Sequence, residues 1–285
     1  MISLGWLLVL LPLVGTIGWF LGRRGSERQG GARISRLSAT YFRGLNYLLN
    51  EQQDKAIELF LQIAERDRET LETQFTLGTL FRRRGEVDRA IRLHQSVISR
   101  PGLSDEQRTR AILALGEDYM RAGLLDRAET LFADLVKLGS AAPQALRHLM
   151  SIYQAERDWQ QAIDHARRYE AATGEPMGRL VAQFECELAE RARIKGEIAL
   201  ARKHLERASA ADANSVRAAL LEGQIELADG NDGAAIRAYE RAARQDLEFL
   251  PEVLPSLLAA YDRTDAPARA RGFLLEMVER YPGVS

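Results

Sequence analysis

The sequence repeats itself about every 34 residues, and this period constrains the fold more than any other feature. An alanine recurs two or three residues into every second predicted helix, in steps of 34, 38, 34, 39, 34 and 35 residues. These alanines are Ala56, Ala90, Ala128, Ala162, Ala201, Ala235 and Ala270. From Tyr41 onward the apolar spacing is helical, with breaks at short Gly, Asn or Asp turns. The pattern predicts an all-α body of helix pairs, none of which could bury its apolar face alone.

Further positions keep the same period around the alanines. A Leu-Gly pair with an aromatic residue three positions on occurs at Leu77-Gly78 with Phe81 and at Leu115-Gly116 with Tyr119. A large residue follows four positions after the alanine, at Phe60, Phe132, Leu205, Tyr239 and Leu274. This pattern resembles the tetratricopeptide repeat. The resemblance implies a right-handed α-solenoid, or superhelix, of about seven repeats over residues 37–285.

Other residues have expected structural roles within the repeats. The glycines Gly44, Gly78, Gly116 and Gly223 should let the two helices of a pair approach closely. Three aspartates stand two residues before an alanine, where they should cap the second helix: Asp54, Asp88 and Asp126. His94 takes the place of the large residue after Ala90, so we expect it to pack in the core.

The chain begins with an apolar stretch. Residues 2–21 carry no charge, and as a helix these 20 residues would span about 30 Å, the thickness of a bilayer core. The basic residues follow the apolar run, whereas a cleavable signal peptide has them in front. We therefore predict a transmembrane helix over residues 1–22 and a basic juxtamembrane linker over residues 23–36.

The charges that flank this helix predict its orientation. Five arginines follow it against a single acid, Glu27, and no Lys or Arg precedes it. The positive-inside rule then places the repeats in the cytoplasm and the N-terminus on the other side of the membrane. Gly15, Gly18 and Gly22 form a small-residue face that could contact another membrane helix, although glycine is common in such helices.

The composition argues against several function classes. The formal net charge is -1, so the chain has no global field for a nucleic-acid partner. A single cysteine, Cys186, excludes disulfide frameworks and thiolate metal sites, and the four histidines lie in separate repeats. No nucleophile-elbow, phosphate-loop or dinucleotide-binding motif occurs. We expect a binding protein without catalytic residues, metal or cofactor.

The inner face of the array is the predicted binding surface, because the first helix of each repeat lines it. Apolar anchors flanked by arginines could hold an extended peptide, with guanidinium groups on its carboxylates. An ordinary solvated, arginine-rich face is the alternative. Counting from the alanines assigns these residues to the surface: Phe75, Thr79, Arg82, Arg83, Leu113, Glu117, Met120, Arg121, Arg147, Ser151, Gln154, Glu190 and Arg193.

Three stretches go beyond a generic repeat, namely Asn50–Ile57, Leu80–Gln95 and Asp118–Glu129. Together with the end of the apolar run at Gly22-Arg23-Arg24, they closely resemble the lipopolysaccharide assembly protein B family of Gram-negative bacteria. The resemblance implies an inner-membrane adaptor that limits lipopolysaccharide synthesis. It would promote degradation of the UDP-acyl-N-acetylglucosamine deacetylase of lipid A synthesis by a membrane-anchored AAA+ metalloprotease. An inner-membrane protein that senses lipopolysaccharide would oppose it, and lipopolysaccharide itself is a further candidate ligand.

The sequence departs from this family at its C-terminal end. The family continues into more repeats and a rubredoxin-like module with two C-x-x-C pairs that bind a metal, whereas this sequence ends at Ser285 with one cysteine. The family's metal binding therefore transfers to no residue here. The competing interpretation is a general membrane-anchored scaffold for another envelope or cytochrome-maturation complex, and a glycan hydrolase or transferase is a third, without a residue constellation to support it.

Overall fold

The computed structural model describes residues 40–47, 52–66 and 71–280. Within these ranges the chain is helical and contains no β-strand, which confirms the predicted all-α body. The helices are α1 (40–47), α2 (Gln53–Arg66), α3 (Leu71–Arg84), α4 (Val87–Ile98), α5 (Asp105–Arg121), α6 (Leu125–Lys137), α7 (Ala142–Glu156), α8 (Trp159–Thr173), α9 (Gly178–Ile194), α10 (Ile198–Ala211), α11 (Val216–Ala228), α12 (Asp232–Gln245), α13 (Leu250–Arg263) and α14 (Pro267–Arg280), with a 3-10 turn at Leu247–Phe249.

The predicted transmembrane helix, the glycines Gly15, Gly18 and Gly22, and the basic linker all lie outside the described residues. None of the helices in the described ranges combines the length and the apolar character that a membrane span requires.

The described residues fall into two compact units that divide after residue 128. In the first unit α2 packs on α3, and α3 packs on both α4 and α5. In the second unit α7 packs on α8, α9 on α10, α11 on α12 and α13 on α14. In the pairs α3–α4, α7–α8, α9–α10, α11–α12 and α13–α14 the odd-numbered helix is the first and the even-numbered helix the second, as the repeat period predicts.

The periodic small residues lie where helices meet. The first six repeat alanines are fully buried, and Ala270 is partly buried. A Cβ atom on Gly78 would lie 2.3 Å from Nε2 of His94, and one on Gly223 would lie 2.4 Å from the ring of Tyr239. A Cβ on Gly44 would come within 2.7 Å of Phe60. Since real Cβ contacts of this length do not occur, the predicted close approaches at these three glycines are confirmed.

The three expected aspartate caps are wrong, because each aspartate lies inside the first turn of its helix. Helix α4 begins at Val87 with Glu86 at its N-cap, no side chain caps it, and Asp88 lies inside the first turn. Asp54 and Asp126 likewise lie in the first turns of α2 and α6. These helices begin earlier than the spacing suggested, so the aspartates lie in the first turn, near the positive end of the helix dipole. A serine fills the cap role at α5, where Ser104 and Gln107 form a capping box.

Candidate functional site

A concavity of about 400 Å³ lies between the first helices α3 and α5 of the first unit. We call its lining the α3–α5 surface. It consists of Phe75, Thr76, Thr79, Leu80, Arg82, Arg83, Arg110, Leu113, Ala114 and Glu117. Six of the predicted inner-face residues are therefore brought together here: Phe75, Thr79, Arg82, Arg83, Leu113 and Glu117.

The floor of the concavity is apolar. Phe75 and Leu80 keep only 4% and 2% of their surface exposed, and Leu113 is half-buried. The guanidinium carbon of Arg110 stands 4.4 Å from the centre of the Phe75 ring, and its Nη1 lies 2.6 Å from Oε1 of Glu72. Stacking and ion pairing therefore hold Arg110 across one edge of the floor.

Arg82 is bound internally. Its Nη1 donates to Oδ1 of Asp118 at 2.6 Å and to the carbonyl oxygen of Ala114 at 3.2 Å. Its Nη2 donates to Oε2 of Glu117 at 2.6 Å. The side chain of Arg82 is only 16% exposed and that of Asp118 is fully buried. The guanidinium thus joins α3 to α5 and has few donors left for a ligand.

The contacts of Asp118 extend into the core. Its Oδ2 lies 2.5 Å from Nδ1 of His94, which is fully buried. Because a carboxylate oxygen only accepts, Nδ1 is the donor of this hydrogen bond. Nε2 of His94 points toward Gly78 and has no hydrogen-bond partner among the described residues. The packing role expected for His94 is confirmed, and the histidine also fixes the carboxylate that holds Arg82.

The remaining predicted residues of the first unit lie on its surface. Arg83 and Arg121 are exposed and Met120 is half-buried. No hydrogen bond or ion pair within the described part of the chain uses the guanidinium of Arg83 or Arg121. These two arginines are therefore available to an anionic partner, unlike Arg82.

In the second unit the predicted residues pair with one another or with neighbours. Arg147 donates to the hydroxyl of Tyr169 and lies 3.4 Å from Glu175. Arg193 donates twice to Glu190, at 2.8 and 2.7 Å, and these hydrogen bonds hold the pKa of Glu190 below its ordinary value. Ser151 and Gln154 are exposed on α7. A ligand of this surface would have to displace existing ion pairs.

Two features were not anticipated from the sequence. The first is Arg110, which lines the α3–α5 surface. It is equivalent to Glu72 one repeat earlier, so aligning the repeats could have identified it.

A second concavity of about 400 Å³ lies in the second unit. Its lining is Arg202, Leu205, Glu206, Ser209, Glu222, Ile225, Glu226 and Arg241. Its lining contains the ion pairs from Arg202 to Glu226 and from Arg241 to Glu222, and no sequence motif marked these residues.

Cys186 lies fully buried in the second unit. Burial raises the pKa of its thiol to about 11, so the thiolate is scarce at neutral pH. Within the described ranges, no group of three or more His, Cys, Asp or Glu residues is arranged to hold a metal ion.

The chain is similar to known proteins along most of its length. Sequence profiles of the tetratricopeptide repeat match residues 76–108, 113–176 and 186–247. Lipopolysaccharide assembly protein B of Escherichia coli strain K12 is 40% identical over 277 residues, which are 97% of this chain and 71% of that protein. The protein of the same name from Haemophilus influenzae is 33% identical over 265 residues, 90% of this chain and 66% of its own length. The crystal structure of MamA aligns with 60% of this chain and 95% of its own, at 23% identity and a TM-score of 0.40.

The helix pairs and the profile matches define a tetratricopeptide-repeat protein. Within that class, the chain belongs to the lipopolysaccharide assembly protein B family, as its sequence stretches predicted.

Proposed function

We propose that the protein is an inner-membrane adaptor that limits lipopolysaccharide synthesis. It presents the UDP-acyl-N-acetylglucosamine deacetylase of lipid A synthesis to a membrane-anchored AAA+ metalloprotease, and an inner-membrane protein that senses lipopolysaccharide opposes it. The observation that carries this proposal is the alignment of 97% of the chain with a protein named for lipopolysaccharide assembly.

The α3–α5 surface supports an adaptor role. It combines a buried apolar floor with an arginine rim, and such a surface holds a polypeptide through one anchoring side chain and several polar contacts. Binding by the adaptor raises the local concentration of the substrate beside the protease, and this requires no bond-making residue. The proposal accordingly includes no catalytic group, metal or cofactor in this chain.

The proposed placement of the protein follows from its N-terminal sequence. Residues 1–22 anchor it with the N-terminus in the periplasm, residues 23–36 form the linker, and residues 37–285 form about seven repeats in the cytoplasm. The face formed by Gly15, Gly18 and Gly22 contacts a membrane helix of a partner. Because the adaptor and the protease are both anchored in one membrane, their effective concentration is high, and a low affinity is enough for them to associate.

Crosslinking in intact cells tests the partners. The full chain, carrying an affinity tag after Ser285, is crosslinked and purified from membranes. We expect both the deacetylase and the protease to be recovered together. Recovery of a different envelope complex, without either protein, would contradict the proposal and favour a general scaffold.

A further inference from the structure

Two unpaired arginines occupy equivalent positions in successive repeats. Arg83 is near the end of α3 and Arg121 is at the end of α5, and they are 38 residues apart, like the repeat alanines Ala90 and Ala128. Both side chains are exposed, and neither takes part in a hydrogen bond or ion pair within the described residues. The same face of two neighbouring helices thus presents two free guanidinium groups.

Each of these arginines follows an apolar residue by eight positions. Phe75 precedes Arg83 on α3, and Leu113 precedes Arg121 on α5. Eight residues are a little over two helical turns and about 12 Å of rise, which leaves the two members of each pair about 80° apart around the helix, on the same half of its surface. The two helices therefore place the apolar floor residues Phe75 and Leu113, of which Leu113 is the more exposed, beside a row of positive charge formed by Arg83 and Arg121.

The other two arginines of this surface are already engaged. Arg82 is held by Asp118, whose side chain is fully buried, and Arg110 is paired with Glu72 and stacked on Phe75. Displacing Arg82 would leave the Asp118 carboxylate buried without its guanidinium partner, which is strongly unfavourable. The capacity of this surface for an anion therefore resides in the arginine row.

We propose that the α3–α5 surface, extended to Arg121, binds an extended polypeptide segment in which two acidic residues two positions apart flank an apolar residue. This inference rests on the proposed function and specifies the chemistry of its protein partner. The axes of packed helices are roughly 8–10 Å apart, and two residues of extended chain cover about 7 Å, a difference that two flexible arginine side chains can span. Side chains two positions apart in such a chain point to the same side and the one between them points to the other, so both acidic residues can face Arg83 and Arg121 while the apolar one turns toward the concavity at Leu113.

An anionic lipid headgroup would share only part of this chemistry. It would pair with the arginine row but would leave the apolar concavity between the helices unfilled. A peptide with acidic and apolar side chains would pair with the arginine row and also fill the concavity. The surface therefore favours such a segment over a simple anion.

Fluorescence anisotropy tests the inference with the full 285-residue chain in mild detergent. The probe is a labelled peptide with the internal order Glu-Leu-Glu, and the control peptide carries Gln in place of both acids. The double variant Arg83→Glu and Arg121→Glu should bind the acidic peptide about tenfold more weakly, because two exposed ion pairs are lost. The same variant should gain affinity for a peptide with Lys-Leu-Lys in the same place.

The matched control is Arg92→Glu with Arg207→Glu, since both arginines are exposed on second helices and make no hydrogen bond or ion pair within the described residues. This control should bind the acidic peptide like the unmodified chain. The inference is overturned if both double variants lose binding equally, if the Gln peptide binds as well as the acidic one, or if glycerol phosphate competes as effectively as unlabelled peptide. The last result would indicate a simple anion site.

This assay contains neither protease nor deacetylase, so its failure is distinct from failure of the adaptor function. If the peptide does not bind but the chain still supports turnover of the deacetylase in cells, the inference is wrong and the function stands. If the peptide binds but turnover is not supported, the surface has the inferred chemistry and serves another partner.

Discussion

At the scale of single residues, the hydrogen bonds from His94 through Asp118 to Arg82 link the core of the first unit to the α3–α5 surface. A fully buried carboxylate is tolerable only because a guanidinium and an imidazole both donate to it. The geometry requires glycine at position 78, because any Cβ there would collide with the histidine ring. The orientation of a surface arginine thus depends on a glycine and a histidine that no ligand touches.

Replacing the central carboxylate should reveal this dependence. Asp118→Asn keeps the volume but leaves Arg82 without its buried counter-charge, so we expect the free energy of unfolding to fall by about 3 kcal/mol. Glu117→Gln removes the charge of the other partner of Arg82, which is 37% exposed, and should lower the free energy of unfolding by less than about 1 kcal/mol. Urea unfolding followed by circular dichroism measures both. Equal losses in the two variants would contradict a buried ionic link.

The backbone of Arg157 has a strained conformation. It follows α7 with φ at 58°, in the left-handed region, whereas the equivalent turns of two other repeats use Gly85 and Gly123. Arg157→Gly should raise the free energy of unfolding by about 0.5–1 kcal/mol, because glycine adopts this conformation without a Cβ clash.

The matched control for that change is Arg207→Gly in the middle of α10, which should lower the free energy of unfolding by about 1 kcal/mol. If Arg157→Gly were as destabilising as this control, the left-handed turn would not be a source of strain. Thermal and urea unfolding of the full chain provide the comparison.

At the scale of helices, buried carboxylates also join neighbouring pairs in the second unit. Glu240 on α12 accepts hydrogen bonds from the hydroxyl of Tyr261 on α13 at 2.6 Å and from Nε of Arg269 on α14 at 2.9 Å. Burial alone would raise the pKa of Glu240, but the hydrogen bonds from Arg269 and Tyr261 outweigh it and hold the pKa below its ordinary value of 4.5. These hydrogen bonds determine which face of α12 packs against α13 and α14.

This link should make the stability of the second unit sensitive to acid. The folded-state pKa of Glu240 is lowered, so its contribution is complete above the ordinary pKa of 4.5 and is lost as the pH falls through the lower folded value. Glu240→Gln should reduce the free energy of unfolding by about 3 kcal/mol at pH 7, and the difference from the unmodified chain should shrink below about pH 4.

Glu252→Gln provides the control, because Glu252 is exposed at the start of α13 and makes no hydrogen bond or ion pair within the described residues. Its free energy of unfolding should stay within about 0.5 kcal/mol of that of the unmodified chain, which is the size of a helix-dipole contribution from an exposed acid. A constant difference between Glu240→Gln and the unmodified chain from pH 7 to pH 3 would show that ionisation of Glu240 is irrelevant to stability. Urea unfolding at a series of pH values makes this comparison.

At the scale of the whole molecule, the repeat period predicted the helix pairs and the burial of the alanines because packing of adjacent helices imposes small residues at fixed intervals. It also placed six of its inner-face residues on one concavity. The period did not distinguish Arg82 from Arg83, which are adjacent in sequence and both line the concavity. Their difference arises from Glu117 and Asp118, which lie 35 and 36 residues from Arg82, and only the fold brings these carboxylates to one guanidinium.

The net charge of the molecule is close to zero, so recognition must depend on local features such as the arginine row and its apolar neighbours. This is consistent with an adaptor that holds its partner at one surface without attracting polyanions in general. An adaptor of this kind must deliver a protein substrate to its protease.

The most direct test is the half-life of the deacetylase in Gram-negative cells that are depleted of their own family member and supplied with this 285-residue chain. We predict that the deacetylase becomes long-lived when the cells' own family member is depleted. The supplied chain should then restore rapid turnover, provided that the AAA+ metalloprotease is active. A deacetylase that stays long-lived while the chain accumulates in the membrane fraction at its ordinary level would contradict the account.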